Sequence, residues 1–384
     1  MQWATAISQA ARIEDAIDEA LDTIAGDLGG REPDLIAAFA SPDYVSHASR
    51  LPPHVTERHP GAVLIGCSAR GVIGGGREIE HERALSLTAA VLPGVTITPF
   101  HLEDDAATWR ARIGVNPHEA RAFVLLPDPL TCPTDALLRW MDQVYPTSTK
   151  IGGMASGGTE PGTMTLYAGK NTELGGAVGI ALSGNIEVDT IVAQGCRPIG
   201  TPVFATRVEK NAIFELDGQP ALTVLESLYK QLPTSDQQLF RQSVFIGLVM
   251  DREQQQYRHG DFLIRNIIGV QSDMDALMVA ADLVDNQVVQ FHVLDAETSA
   301  ADLRHLLASH HGASPHGALL FSCLSRGTGM YGRSDHDSEL FRDQFGDVAL
   351  GGFFCNGEIG PVGGRTWLHS YTSSFGLFRQ RDLS

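Results

Sequence analysis

Apolar residues along this chain gather in short, dense runs that stop at glycine or another small residue. Examples are "LIAAFA" (35–40), "AVLIGCS" (62–68), "AFVLLP" (122–127), "ALLFSC" (318–323) and "ALGGFFC" (349–355). Runs without polar alternation predict strands buried on both faces. Further strands are expected in "RALSLTAAVL", "TITPFHLED", "LGGAVGIALSG", "SVFIGLVM", "DALMVAADLVDNQVVQFHVL" and "RTWLHSYTSSFGLF". Helical spacing appears in "TDALLRWMDQVY", "ALTVLESLYKQL", "AETSAADLRHLL" and "SELFRDQFG". At the N-terminus, Ile7, Ala10, Ile13, Ile17, Leu21, Ile24 and Leu28 recur every three or four residues up to Gly29-Gly30. That predicts one amphipathic helix over residues 1–30. The fold class expected is α/β (α+β), with mixed β-sheets covered by helices. Many successive strands lack a helical crossover, which argues against a doubly wound parallel sheet.

The order of elements repeats. "ALSLTAAVLPGVTITPFHLEDD" lies against "ALMVAADLVDNQVVQFHVLDAE", each giving strand, turn, then Phe-His (Phe100-His101 and Phe291-His292). "FVLLPDP…KIGGMASGG…GGAVGIALSG" lies against "LLFSCLSRG…ALGGFFCNGEIG…TSSFGLF" in the same order. This predicts an internal duplication with two related halves, about 31–190 and 215–378. Junctions between such halves are favoured places for binding sites.

Four strands run into small-residue turns: 66–71 (Gly-Cys-Ser-Ala-Arg-Gly), 152–158, 322–327 (Ser-Cys-Leu-Ser-Arg-Gly) and 351–358 (Gly-Gly-Phe-Phe-Cys-Asn-Gly-Glu). Glycine is costly inside an element, so such clusters point to tight turns or close backbone approach. Successive N–H groups in them can converge on an anion. Arg70 and Arg326 each precede a glycine and offer a planar fork for a carboxylate, and Glu358 could meet an ammonium. The residues expected to line a ligand site are therefore Glu358, Asn356, Gly357, Cys355, Phe353, Gly352, Arg326, Cys323, Arg70, Cys67 and Ser68, with Phe353 or Phe354 as an apolar wall. The bland reading of each turn is sheet packing alone.

The motifs "VLIGCSARGVI", "GCRPIG…VEKNAIFELDGQPALTVL", "FSCLSRG" and "LGGFFCNGEIGPVGGRTWLHSYTSSFGLF" resemble the FIST family, over nearly the whole chain from about Asp34 to Phe378. The resemblance implies an N-terminal FIST domain at 31–214 and a C-terminal one at 215–384. It also implies a sensory module that binds a small ligand, an amino acid among the options, and passes a signal to a protein partner. Relatives carry fused signalling or F-box segments; this chain reads as a stand-alone member. The first motif departs from its relatives, reading Arg70-Gly71-Val72-Ile73 where they often show a Gly-Glu-Ile ending. No acid there matches Glu358.

Composition narrows the partners. A net charge of −18, from 46 acidic against 28 basic residues, disfavours nucleic acid and anionic membranes. No run approaches the roughly 20 apolar residues of a membrane span. The acidic N-terminus does not read as a signal peptide. Five scattered cysteines without C-x-x-C fit a reduced, cytoplasmic setting. The rival to a sensor is a cysteine-dependent hydrolase or transferase using Cys355 or Cys323, with His336 or His369 as base. No cofactor is expected. No phosphate-binding loop, dinucleotide fingerprint or serine-nucleophile elbow occurs. "HLLASHHGASPHG" lacks the spacing of a metal site and reads as a solvated helix end.

Overall fold

A computed structural model describes residues 1–271 and 273–381. The chain forms two compact units. Among the described residues the first comprises 1–192, 303–368 and 372–381, and the second 193–271, 273–302 and 369–371. The units therefore cut across the sequence halves. Among the described residues, strands form four mixed or antiparallel sheets with helices against them, the α/β class expected.

Three of these sheets build the first unit, and each has the same centre. In the first sheet Leu35–Ala40 runs parallel to Val63–Ser68 and antiparallel to Leu85–Val91. In the second, Ala120–Pro127 runs parallel to Thr149–Gly153 and antiparallel to Ala177–Gly184. In the third, Gly317–Cys323 runs parallel to Ala349–Cys355 and antiparallel to Thr372–Arg379. The second and third sheets are the segments paired by one of the two sequence alignments. The other set Leu85–Val91 and Val95–Leu102, which lie in two different sheets, against Ala276–Val279 and Gln287–Leu294, which share the second unit's sheet. The first sheet is a further copy of the same arrangement.

Each central strand is apolar on both faces because both are covered. Outward, the helix Ile13–Asp27 lays Ile13, Ile17, Leu21 and Ile24 on the first sheet, against Ile36, Leu64 and Leu87. The helix Thr134–Val144 lays Leu137, Leu138 and Met141 on the second sheet, against Phe123 and Leu125. The helix His336–Phe345 stacks Phe341 on Phe375 of the third, at 5.8 Å between ring centres. Inward, the three sheets share one core. There Phe353 stacks on Phe39 at 4.7 Å and meets Phe321 edge-on at 5.8 Å.

The strand after each turn leaves its own sheet. Gly71–Gly74, following the first sheet's turn, pairs with Ala349–Cys355 of the third. Glu358–Val362, following the third sheet's turn, pairs with Thr149–Gly153 of the second. Leu166–Ala168, following the second sheet's turn, pairs with Val63–Ser68 of the first. The exchange closes a ring.

The N-terminal element differs from expectation. Gln2–Ser8 is a strand paired with Leu85–Val91, and the helix begins only at Ile13. Trp3, Ala4 and Ala6 are buried in this pairing, which overrides the helical spacing of Ile7.

The second unit is built on one antiparallel sheet, with Gln287–Leu294 between Cys196–Glu209 and Val244–Val249, continuing through Phe262–Gln271. The helices Ala221–Gln231 and Thr234–Gln242 bring Leu222, Leu225, Leu228, Leu239 and Phe240 to its core.

Candidate functional site

The closeness of the parallel strands dictates glycine at one position in each sheet. A Cβ on Gly66, Gly152 or Gly352 would lie 1.9 Å from the carbonyl oxygen of Ala38, Leu125 or Leu320 respectively. At Gly152 and Gly352 the φ of +153° and +147° also favours glycine. The turn after each of these strands starts from this fixed point.

The four glycine-rich turns do come together, around Ser156. Its Oγ donates to the Phe354 carbonyl at 2.5 Å and accepts from the Arg70 N–H at 3.0 Å. The N–H groups of Ser156 and Gly157 both reach the Ser68 carbonyl, at 3.3 and 3.1 Å. Met154 donates to Gly357 at 2.9 Å, and Asn356 donates back to Met154 at 3.0 Å. The Leu324 N–H reaches the Cys355 carbonyl at 3.1 Å and so ties in the remaining turn. Ser156 was not among the expected site residues; only its Gly-Gly-x-Ala-Ser-Gly setting marks it.

At this junction Arg70 and Asn356 are exposed, and Met154, Leu324 and Ser325 are half-buried. Cys67, Ser68, Gly352, Phe353, Cys355, Gly357 and Glu358 are buried, and Cys323 is nearly so. Phe353, expected as an apolar wall, is core instead, held by Phe39 and Phe321.

Glu358 is fully buried. One carboxylate oxygen accepts from Thr372 twice, from N–H at 3.0 Å and from Oγ1 at 2.7 Å. The other accepts from Cys355 Sγ at 3.5 Å, and the Cys323 thiol also bonds to this carboxylate. Burial pushes the Glu358 carboxyl up to about 7, against the pull of the Thr372 and thiol hydrogen bonds. Its charge is thus spent inside the protein, and an ammonium does not reach it in this conformation. Burial, then the Glu358 charge, pushes the Cys355 thiol well above its ordinary value. The thiol is therefore protonated at rest and attacks only once a base has taken its proton.

Arg326 also departs from its expected role. The carboxylate it holds belongs to the chain. Nε and Nη2 donate to the two oxygens of Asp337 at 3.0 and 3.1 Å, with side-chain exposures of 0% and 3%. Asp337 starts the helix behind the turn and accepts from Ser322, Ser373 and His336 as well. Burial opposes both charges. The partner more than offsets it, so the guanidinium is held above and the Asp337 carboxyl well below the usual range. Glu78, 4% exposed, receives the N–H and Oγ of Ser338 on one oxygen, and its other oxygen is buried without a hydrogen bond. Burial, then the Asp337 charge, pushes Glu78 up to about 8.

The second unit carries a cleft of about 460 Å³ lined by Phe204, Val249, Arg252, Tyr257 and Val288, among others. It contains none of the turn residues. No helix among the described residues is long and apolar enough to cross a membrane.

Mixed sheets with glycine turns and covering helices define an α/β protein by class. Residues 34–219 match the FIST N domain and residues 221–361 the FIST C domain. The chain belongs to the FIST family, whose domains are associated with small-ligand sensing and signalling. An uncharacterized protein of Mycobacterium tuberculosis is 34% identical over 388 residues, covering 98% of this chain and all of the relative. One of Mycobacterium bovis is 32% identical over 366 residues, covering 94% of each. Among solved structures, a cyanuric acid hydrolase from A. caulinodans aligns over 99% of this chain at 9% identity with a TM-score of 0.34.

Proposed function

We propose that this chain is a cytoplasmic sensor of a small carboxylate-bearing metabolite of the amino-acid class, bound across the tips of the joined turns. Arg70 takes the carboxylate, and the Asn356 amide and the turn peptides complete the contact. One observation carries the reading: turns far apart in sequence are stitched together at Ser156, with Arg70 and Asn356 exposed on the same cluster. Glu358 lies beneath. Binding at the turn tips shifts the population of this layer, and the shifted population is what a signalling partner reads.

A thermal-shift panel of amino acids and small carboxylates tests this. A true ligand at about 100 times its Kd adds about 2.7 kcal/mol of stability. Arg70→Ala should remove that shift, while Tyr257→Ala in the second unit's cleft should leave it. A panel without any shift overturns the proposal. So does a shift that survives Arg70→Ala and disappears in Tyr257→Ala.

A further inference from the structure

Cys323 and Cys355 close the two parallel strands at the centre of the third sheet and face each other in register. Neighbouring strands lie about 4.8 Å apart. That falls inside the window of about 4.4–6.8 Å between the α-carbons of a disulfide. Their side chains converge, since both thiols hydrogen-bond the carboxylate of Glu358. Room beside them is kept by Gly153, where a Cβ would stand 2.8 Å from Cys355 Sγ. All five cysteines are reduced in this structure.

We propose that Cys323 and Cys355 form a reversible thiol–disulfide site, oxidised by low-molecular-weight disulfides, with Glu358 as the base that receives the Cys355 proton. The site shares Glu358 with the ligand reading above but does not rest on it. Cys323 is 8% exposed against 0% for Cys355, so it reacts first. Its sulfur, as thiolate, bonds to one sulfur of the small disulfide; that S–S bond breaks and one small thiolate leaves, taking up a proton. Cys355 then passes its proton to Glu358, and its sulfur attacks Cys323. The second small thiol leaves with that proton. Two protein thiols and one small disulfide thus become one protein disulfide and two small thiols. In the strand pairings described, Cys67 faces Phe39 and Leu166 and Cys196 faces Leu294, while Cys132 lies in the loop before the helix Thr134–Val144.

The experiment incubates the full chain with oxidised glutathione under native conditions, quenches by alkylation and maps the peptides by mass. The expected product is a Cys323–Cys355 linked peptide that dithiothreitol reverses. Cys355→Ser should stop at a glutathione adduct on Cys323. Glu358→Gln should slow the closing step roughly tenfold or more and remove its rise with pH, while Thr372→Ser leaves both in place. A linkage that appears only in urea, or native oxidation at other cysteines with this pair left reduced, overturns the proposal. Because the wild-type map decides it, the proposal stays testable if a variant fails to fold.

Discussion

Asp337 keeps a fully buried guanidinium tolerable. Removing one partner of a buried ion pair leaves the other charge uncompensated, at a cost of about 3–5 kcal/mol. Asp337→Asn should therefore lower the urea-derived stability by that amount, because Arg326 keeps its charge and loses its bidentate partner. An unchanged midpoint would show that Arg326 reaches water. Glu358 makes a second, pH-dependent prediction. Its folded value of about 7 lies above the ordinary 4.5. Between those values the folded protein keeps a proton that the unfolded chain has released. Stability accordingly falls as pH rises through this interval and levels above it, by roughly 3 kcal/mol in all. Glu78, pushed up to about 8, extends the decline upward. Glu358→Gln should flatten the lower part of the curve and Glu78→Gln the upper part, read from urea midpoints across pH 4 to 9. A Glu358→Gln curve that keeps the wild-type slope would place that carboxylate in contact with solvent.

At the scale of elements, the parallel pairs depend on their glycines. Gly352→Ala places a Cβ 1.9 Å from the Leu320 oxygen at a φ of +147°, so the strands must part. The expected loss is about 3–5 kcal/mol. Gly26→Ala, on an exposed helical turn with no atom within 4 Å of the new Cβ, should gain about 0.5–1 kcal/mol. Thermal denaturation of the two variants side by side checks both signs. The same elements show what a sequence can disclose. Runs such as "AFVLLP" and "ALLFSC" identify the central strands because burial on both faces needs apolar residues throughout. The glycines that end them mark the turns, and the turns proved to meet. Two features escape this kind of reading. Gln2–Ser8 is too short, and too close in spacing to the helix after it, to stand out. The partner of Arg326 follows in a new helix, and nothing in "SRG" shows that the arginine is already matched.

Strand exchange couples the whole first unit. Gly71–Gly74 and Arg77–Glu80 belong by sequence to the N-terminal family domain, but they hydrogen-bond into a sheet whose other strands include Gly317–Cys323, Ala349–Cys355 and Thr372–Arg379. Thr149–Gly153 in turn relies on Glu358–Val362 for its outer edge. A fragment of residues 1–219 therefore contains the whole FIST N match yet lacks the third sheet's centre and the Phe353 and Phe321 rings that pack in the shared core. It leaves unpaired edges and exposed apolar faces, the conditions for aggregation. We expect this fragment, made alone, to lack a cooperative urea transition and to bind a hydrophobic dye. The intact chain should unfold sharply, and a fragment of residues 303–384 added during refolding should restore part of the near-ultraviolet circular dichroism. A sharp transition in the isolated fragment, at the midpoint of the intact chain, would mean that the ring of exchanged strands contributes nothing to holding the sheets together. The turns at Ser156 would then have to be positioned by the N-terminal sheets alone.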